Sequence, residues 1–299
     1  MNKKAAIEFV LQNARPIELA VYKYFFENKS NQAVIDELSK FQNTDGGFGN
    51  ALEPDFFNPN SSPIATNDAI TTLFRVNALR RDFDIVKGIV RYLESHDSFD
   101  EDKKRWLFAI DSNKNYPHAI WWEKKGDGIS GFNPSISLAA FLVCYGNRTS
   151  LCEEIVKEGF EYLENAEEVS GDSLKCFLLT YELLKANSIC DIIDLEHFKH
   201  LLCKAIDNSI CKDISKYGVE YVPMPSDFFS GSYSEFITPE IKPLIAAEKD
   251  ILGKIQMEDG GFDITWKWYT PYPNEYKQAR AWWRPRLTIE KLLFNEVQI

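Results

Sequence analysis

The sequence predicts an all-α protein whose helical hairpins, about six in number, form an α/α toroid with an inner and an outer ring of helices. Three observations predict it. Segments that are amphipathic at helical spacing alternate with segments that are apolar nearly all round, strand patterns are scarce, and a Gln-x-x-Asp-Gly-Gly-Phe phrase occurs twice. The 299 residues contain no linker or low-complexity tract, so we expect one domain over residues 1–299.

The predicted elements alternate in kind along the chain. Amphipathic helices, with apolar residues on one face, are predicted at 1–16, 31–42, 83–97, 150–164 and 196–210. The segments 134–146 and 173–184 are apolar on most sides and should be buried, while 65–79 is intermediate in character. The best strand candidate is "YGVEYVP" at 217–223.

Long connections are predicted between each amphipathic helix and the buried helix that follows it. They are rich in Gly, Pro, Asn and Trp, whereas the return connections are short. In a toroid all of them lie at one end, where loops on a rigid scaffold commonly carry function. The four connections are 43–64, 97–133, 209–237 and 257–273.

The doubled phrase occupies residues 42–48 and 256–262. Its Asp-Gly-Gly is a strong turn signal because glycine supplies the positive φ that ends a helix. The Phe can fold back onto the core, which contributes about 1.5–3 kcal/mol, and the Gln amide can satisfy helix-end carbonyls or loop amides. We therefore interpret the phrase as a structural staple rather than a ligand site.

Composition excludes some classes of function. The net charge of −11 comes without a basic stripe, so we expect no nucleic-acid partner. No run of about 20 apolar residues is present, so we expect no membrane span, and the charged start does not resemble a signal peptide. The six cysteines form no Cys-x-x-Cys pair, which favours reduced core thiols in a cytoplasmic protein. Nothing implies a cofactor, and the oligomeric state is left open.

The doubled phrase, closing an outer helix before a buried one, resembles the repeat of terpenoid cyclases and protein prenyltransferase β-subunits, which share the α/α toroid. The segments "DGGFGNALEPD", "PHAIWW" and "WWRPRLT" also look like a branch of bacterial squalene-cyclase-like proteins to which no reaction attaches. The resemblance implies an isoprenoid-like ligand in a central cavity. The family chemistry is not carried over: "FDEDK" lacks the Asp-x-Asp-Asp acid, and Asp-Asp-x-x-Asp and the Asp-x-Cys zinc pair are absent.

Four residues are candidates for acid–base catalysis. Glu53 and Asp55 flank Pro54 in the first long connection, and paired carboxylates serve as acid and base in glycoside hydrolysis. Asp68 is predicted to begin the next buried helix, where stabilising the helix dipole is the alternative role. His118 is a candidate proton carrier because histidine as a residue type exchanges protons near neutral pH; the alternative is a hydrogen-bonding loop residue.

Six residues are candidates for substrate binding. The aromatic faces of the candidate tryptophans can stack on ligand rings or stabilise cations. The alternative is that these tryptophans pack the loops onto the core. Arg284 and Arg286 bracket Pro285, predicted to start the last helix; they can clamp an anion or pair with the protein's own acids. His197 and His200 lack a third ligand, so no metal site is predicted. The six candidates are Trp121, Trp122, Asn133, Trp266, Trp268 and Arg284.

Three functions remain open at this level. The first is binding or transformation of an isoprenoid-like small molecule at the Trp-rich loop end, as the resemblance implies. The second is a carbohydrate-active α/α-barrel enzyme with paired carboxylates, which the Asn, Asp and Trp of the loops favour. The third is a non-catalytic module that binds a ligand or a protein. No visible constellation supplies the roughly 8–23 kcal/mol of a typical rate enhancement, so the sequence does not decide whether the protein is an enzyme.

Overall fold

A computed structural model describes residues 1–268 and 271–299, and it confirms an all-α protein. Among the described residues, helices account for 57% and strands for 4%. None of the helices in the described ranges has the length and apolar character needed to cross a membrane. The eleven helices are α1 (Lys3–Asn13), α2 (Pro16–Glu27), α3 (Gln32–Leu38), α4 (Pro63–Arg75), α5 (Asp84–Glu94), α6 (Ser135–Tyr145), α7 (Ser150–Asn165), α8 (Gly171–Ala186), α9 (Leu195–Ser209), α10 (Lys242–Ile255) and α11 (Pro273–Asn295).

The strands are short and are not where the sequence predicted one. Strands β1 (Phe99–Asp100) and β2 (Arg105–Trp106) form an antiparallel pair. The prediction of a strand at 217–223 is wrong. Gly218 has a φ of 73° there, and both Val219 and Glu220 donate backbone hydrogen bonds to Lys216 O, so the chain turns instead of extending.

The two kinds of helix differ in burial as predicted. Helix α6 is buried from Ser135 to Cys144, on all sides. Helix α5 buries Ile85, Val86, Ile89 and Leu93 and exposes its opposite face, so its hydrophobic burial comes from one stripe. Packing of these stripes and not local propensity supplies most of the stability of such helices.

Contacts between Cα atoms divide the chain into two compact units, which are described separately. Unit 1 consists of Met1–Glu37 and Cys203–Ile299, and unit 2 consists of Leu38–Leu202. The expectation of one domain over residues 1–299 stays a prediction, as does the toroid. Residues 269 and 270 of the predicted connection 257–273 lie outside the described part of the chain.

In unit 2, the first copy of the doubled phrase packs against the side of α5. Gln42 Nε2 donates to Gly46 O at 2.9 Å and to Ile85 O, in the first turn of α5, at 3.0 Å. Gly46 has a φ of 101°, and a Cβ there would lie 2.0 Å from Gly88 O. Phe48 is fully buried, and its amide donates to Thr66 Oγ1 of α4.

In unit 1, the second copy repeats this geometry against the first helix of the chain. Gln256 Nε2 donates to Gly260 O at 2.7 Å and to Asn2 O at 3.0 Å. Gly260 has a φ of 90°, and a Cβ there would lie 2.3 Å from Ala5 O. Phe262 is buried, and its amide donates to Thr288 Oγ1 of α11.

The two copies therefore use equivalent partners, and each has the buried Phe and the Gln hydrogen bonds that the interpretation as a structural staple expects. The first copy lies between α3 and α4 in the sequence and contacts the next helix, α5, at Ile85 and Gly88. The second copy follows α10 and meets α1 at Asn2 and Ala5, with the same spacing of three residues. The second copy therefore contacts the start of α1 in the way that the first copy contacts α5.

The last helix begins earlier than predicted. Pro285 lies inside α11 rather than at its start, and Pro273 occupies the first helical position. A proline at the first position loses no hydrogen bond, because that N–H has no partner within the helix. The proline that starts the last helix is therefore Pro273 and not Pro285.

The cysteines are all free, but only some are in the core. Cys144, Cys152 and Cys176 are buried, as expected for core thiols. Cys190 is exposed and Cys203 and Cys211 are half-buried, so for these three the prediction of a core position is wrong. Cys190 and Cys211 lie outside helices, in the connections after α8 and α9.

Candidate functional site

Two long connections of unit 2 are fastened together by a buried carboxylate. Asp55 is 1% exposed and its Oδ1 accepts a hydrogen bond of 2.8 Å from Trp122 Nε1. The Trp122 ring lies between Phe56 and Phe108, with centroids 5.4 and 5.2 Å away. A buried carboxylate is costly unless it is hydrogen-bonded, so this contact fixes both segments at once.

A pair of asparagines extends the same network. Asn58 Nδ2 donates to Asn113 Oδ1 at 2.8 Å, and Asn113 Nδ2 donates to Trp122 O at 2.7 Å. Both asparagines are buried. We call the set of Asp55, Asn58, Asn113 and Trp122 the loop platform. Satisfied buried networks of this kind hold irregular segments in one conformation.

Three of the predicted site residues lie on the platform's edge. Glu53 and Trp121 precede Asp55 and Trp122 by two residues and one residue, and both are half-buried. His118 is half-buried beside Phe56, with which it forms an isolated antiparallel bridge. Because a carbonyl only accepts, the 2.6 Å contact between His118 Nδ1 and Tyr116 O places the proton of the neutral ring on Nδ1. The structure therefore brings Glu53, Asp55, His118, Trp121 and Trp122 into one region.

Asn133 belongs to a second cluster, where the N-terminal ends of α4, α6 and α8 meet. Ser137 Oγ donates to Asn67 Oδ1 at 2.6 Å, and Cys176 Sγ donates to Asn133 Oδ1 at 3.3 Å. The long connections that lead into α4 and α6 therefore arrive at the same end of these helices. Burial raises the pKa of the Cys176 thiol to about 12, so this cysteine is not a thiolate nucleophile at neutral pH.

Asp68 does not begin its helix. Helix α4 starts at Pro63, and Ser62 caps it by accepting a hydrogen bond from the Ala65 amide at 3.1 Å. Asp68 is half-buried in the second turn, where the unpaired amides of the helix start are out of reach. The proposed alternative role of Asp68 at the helix dipole is therefore wrong.

The remaining predicted residues lie in unit 1. Trp266 packs edge-on against Trp283 with centroids 5.3 Å apart, and Trp268 packs against Tyr276 at 5.6 Å. Arg284 Nη2 donates to both carboxylate oxygens of Asp259, at 2.7 and 2.8 Å. Arg284 thus pairs with an acid of the protein, as its alternative interpretation held.

Sequence reasoning missed a buried ion pair in unit 1. Lys291 of α11 is 6% exposed and donates to Glu248 Oε1 of α10 at 2.9 Å, while Glu248 is fully buried. Glu248 Oε2 also accepts the Ser226 amide at 2.9 Å, and Lys291 Nζ donates to Ser226 Oγ. Their sequence signal is weak, because Glu248 in "PLIAAEKDIL" and Lys291 in "LTIEKLLF" each have other charged residues beside them.

The ion pair contacts the irregular segment between α9 and α10. This segment contains short 3-10 turns at Ile214–Lys216, Pro225–Asp227 and Ser234–Phe236. A buried irregular segment must have its amides satisfied by side chains. Glu248 does this for Ser226, and Lys291 neutralises the carboxylate that does it.

The described residues include no group of three or more His, Cys, Asp or Glu side chains arranged to hold a metal ion. Comparisons of the chain with protein-family models, with curated proteins and with solved structures give no match. The function is therefore argued from the site itself.

Proposed function

We propose that the protein is an α/α toroid that binds a small polar molecule containing a ring, at the edge of the loop platform. Support for the toroid comes from the equivalence of the two Gln-x-x-Asp-Gly-Gly-Phe sites, where the second copy contacts the start of α1 as the first copy contacts α5. In a closed ring the first helix follows the last hairpin in this way.

The observation that carries the binding site is the hydrogen bond between Asp55 and Trp122. It joins residues 67 positions apart and buries a carboxylate between two loops that the Phe56–His118 bridge also connects. Loops that are fixed before a ligand arrives lose less conformational entropy on binding. Glu53, His118 and Trp121 are the polar and aromatic groups that this platform leaves half-buried.

The chemistry of these groups favours a carbohydrate-like ligand. An indole face stacks on a sugar ring, and a carboxylate and an imidazole hydrogen-bond to hydroxyls. Asp55 is buried and already accepts the Trp122 indole hydrogen, which argues against Asp55 as half of a catalytic carboxylate pair. The proposal is accordingly ligand binding.

An isoprenoid-like ligand in a central cavity is the second candidate. It is supported by the repeated phrase, whose geometry occurs at both sites as a repeat would require. The two candidates differ in the ligand and can be separated in one experiment.

Saturation-transfer NMR with cellobiose, maltose and farnesol tests both candidates on the full chain. We expect a disaccharide to bind, and Trp121→Ala to weaken it about 2- to 12-fold through loss of ring packing. His118→Ala and Glu53→Gln should weaken it too, whereas His200→Ala and Glu123→Gln, which alter exposed residues of the same kinds, should not. Trp122→Phe should weaken it without removing a ligand contact, because Asp55 loses its donor.

The results also decide against the proposal if it is wrong. Farnesol binding without disaccharide binding supports the second candidate instead. If none of the three probes binds, or if His118→Ala and His200→Ala have equal effects, the platform is not the binding site.

A further inference from the structure

A cleft of about 470 Å³ lies in unit 2, away from the loop platform. Ligand pockets commonly range from about 300 to 1,000 Å³, so the cleft has room for a small molecule. One side is the C-terminal half of α7 and the other is formed by β2 and the segment before α6. Its lining residues are Arg105, Phe132, Glu158, Glu161, Tyr162, Asn165 and Ala166.

The cation in this cleft is already fully engaged. The Arg105 guanidinium lies 3.9 Å from the Phe132 ring centroid, and its Nη2 donates to Glu158 Oε2 at 2.9 Å. Its Nη1 donates to Lys104 O at 2.9 Å, and only 12% of its side chain is exposed. The Arg105 guanidinium is therefore not available for a bidentate contact with an incoming anion.

What the cleft offers to a ligand is negative charge and an aromatic face. Arg105 and Glu158 neutralise each other, which leaves the exposed carboxylate of Glu161 as the uncompensated charge of the lining. Tyr162 is 41% exposed, and its ring is supported by Phe132 at 5.3 Å and by Phe177 at 6.2 Å between centroids. A carboxylate next to a supported aromatic ring is the chemistry that recognises organic cations.

We propose that this cleft binds a small organic cation with a flat body, which stacks on Tyr162 and pairs with Glu161. Asn165, on the same rim, donates from Nδ2 to Glu161 O at 2.7 Å, so its Oδ1 is the amide atom that can accept a hydrogen bond from the ligand. The placement of Arg105 over Phe132 shows that the same walls already accommodate a planar cation. The site is independent of the disaccharide proposal because no residue is shared.

Benzamidine and benzamide form a matched pair of probes, since they have the same shape and differ in charge. Titration of the full chain, followed by saturation-transfer NMR, should show benzamidine binding and benzamide binding at least about threefold more weakly. Glu161→Gln and Tyr162→Ala should each weaken benzamidine about two- to fivefold, and the double variant about tenfold.

Glu167→Gln is the control, because it removes one exposed negative charge just beyond α7 without touching the cleft. It should leave benzamidine affinity unchanged, and circular dichroism should show all variants folded, since the altered side chains are exposed. Equal binding of benzamide, equal loss with Glu167→Gln, or no binding of benzamidine would each overturn the proposal.

Discussion

Replacing Gly260 by alanine tests whether the second Asp-Gly-Gly turn docks on α1. Gly260 has a φ of 90°, which disfavours any residue with a Cβ, and the new Cβ would lie 2.3 Å from Ala5 O. A left-handed conformation costs about 1–2 kcal/mol for an L-residue, and forcing extra atoms into a packed site costs about 1–3 kcal/mol. The expected loss of unfolding free energy is therefore about 2–5 kcal/mol.

Gly131→Ala is the matched control. Gly131 also has a positive φ, 56°, but nothing lies within 4 Å of its added Cβ, so only the conformational cost of about 1–2 kcal/mol applies. Gly46→Ala should resemble Gly260→Ala, because its Cβ would meet Gly88 O at 2.0 Å. Urea unfolding followed by circular dichroism gives the free energies. If Gly260→Ala costs no more than Gly131→Ala, the turn does not pack against α1 as described.

Two further predictions concern buried and paired charges. Lys291→Met leaves Glu248 buried without its cation and should lower the free energy of unfolding in urea by about 3–5 kcal/mol. The double variant Lys291→Met with Glu248→Leu should recover much of this loss. If the double variant recovers none of it, the ion-pair account is contradicted. Hydrogen bonding by Arg284 lowers the pKa of Asp259, so this pair stabilises the fold above about pH 4 and loses its effect as the pH falls through the lowered value. Arg284→Met should therefore lose less stability than wild type between about pH 4 and pH 2, and parallel pH profiles would refute this.

The sequence could predict those parts of the fold that depend on local patterns. Helix α6 was predicted as buried because its apolar residues surround the helix, and the structure buries all of Ser135–Cys144. The doubled phrase was recognised as a staple because Gly-Gly turns and a following Phe have a local physical meaning. What the phrase binds to, α5 in one case and α1 in the other, depends on contacts between distant segments.

The candidate site was predictable only in part, for the same reason. Trp122 and Asp55 were both singled out, but their hydrogen bond spans 67 positions and made Asp55 a buried anchor rather than an open acid. Glu248 and Lys291 lie 43 positions apart, and each looks like a solvated charge when read alone. Pairing across such distances leaves no periodicity in the sequence.

The contact between α1 and the second Gln-x-x-Asp-Gly-Gly-Phe turn has a consequence for protein synthesis. Asn2 and the turn residue Gln256 are 254 positions apart, so Asn2 and Ala5 are translated well before the turn that they contact. The apolar stripe of α1 therefore lacks its final neighbours while the residues between them are synthesised. A nascent chain stalled before residue 256 should expose that stripe to chaperones and proteases, whereas a chain that includes α11 should cover it.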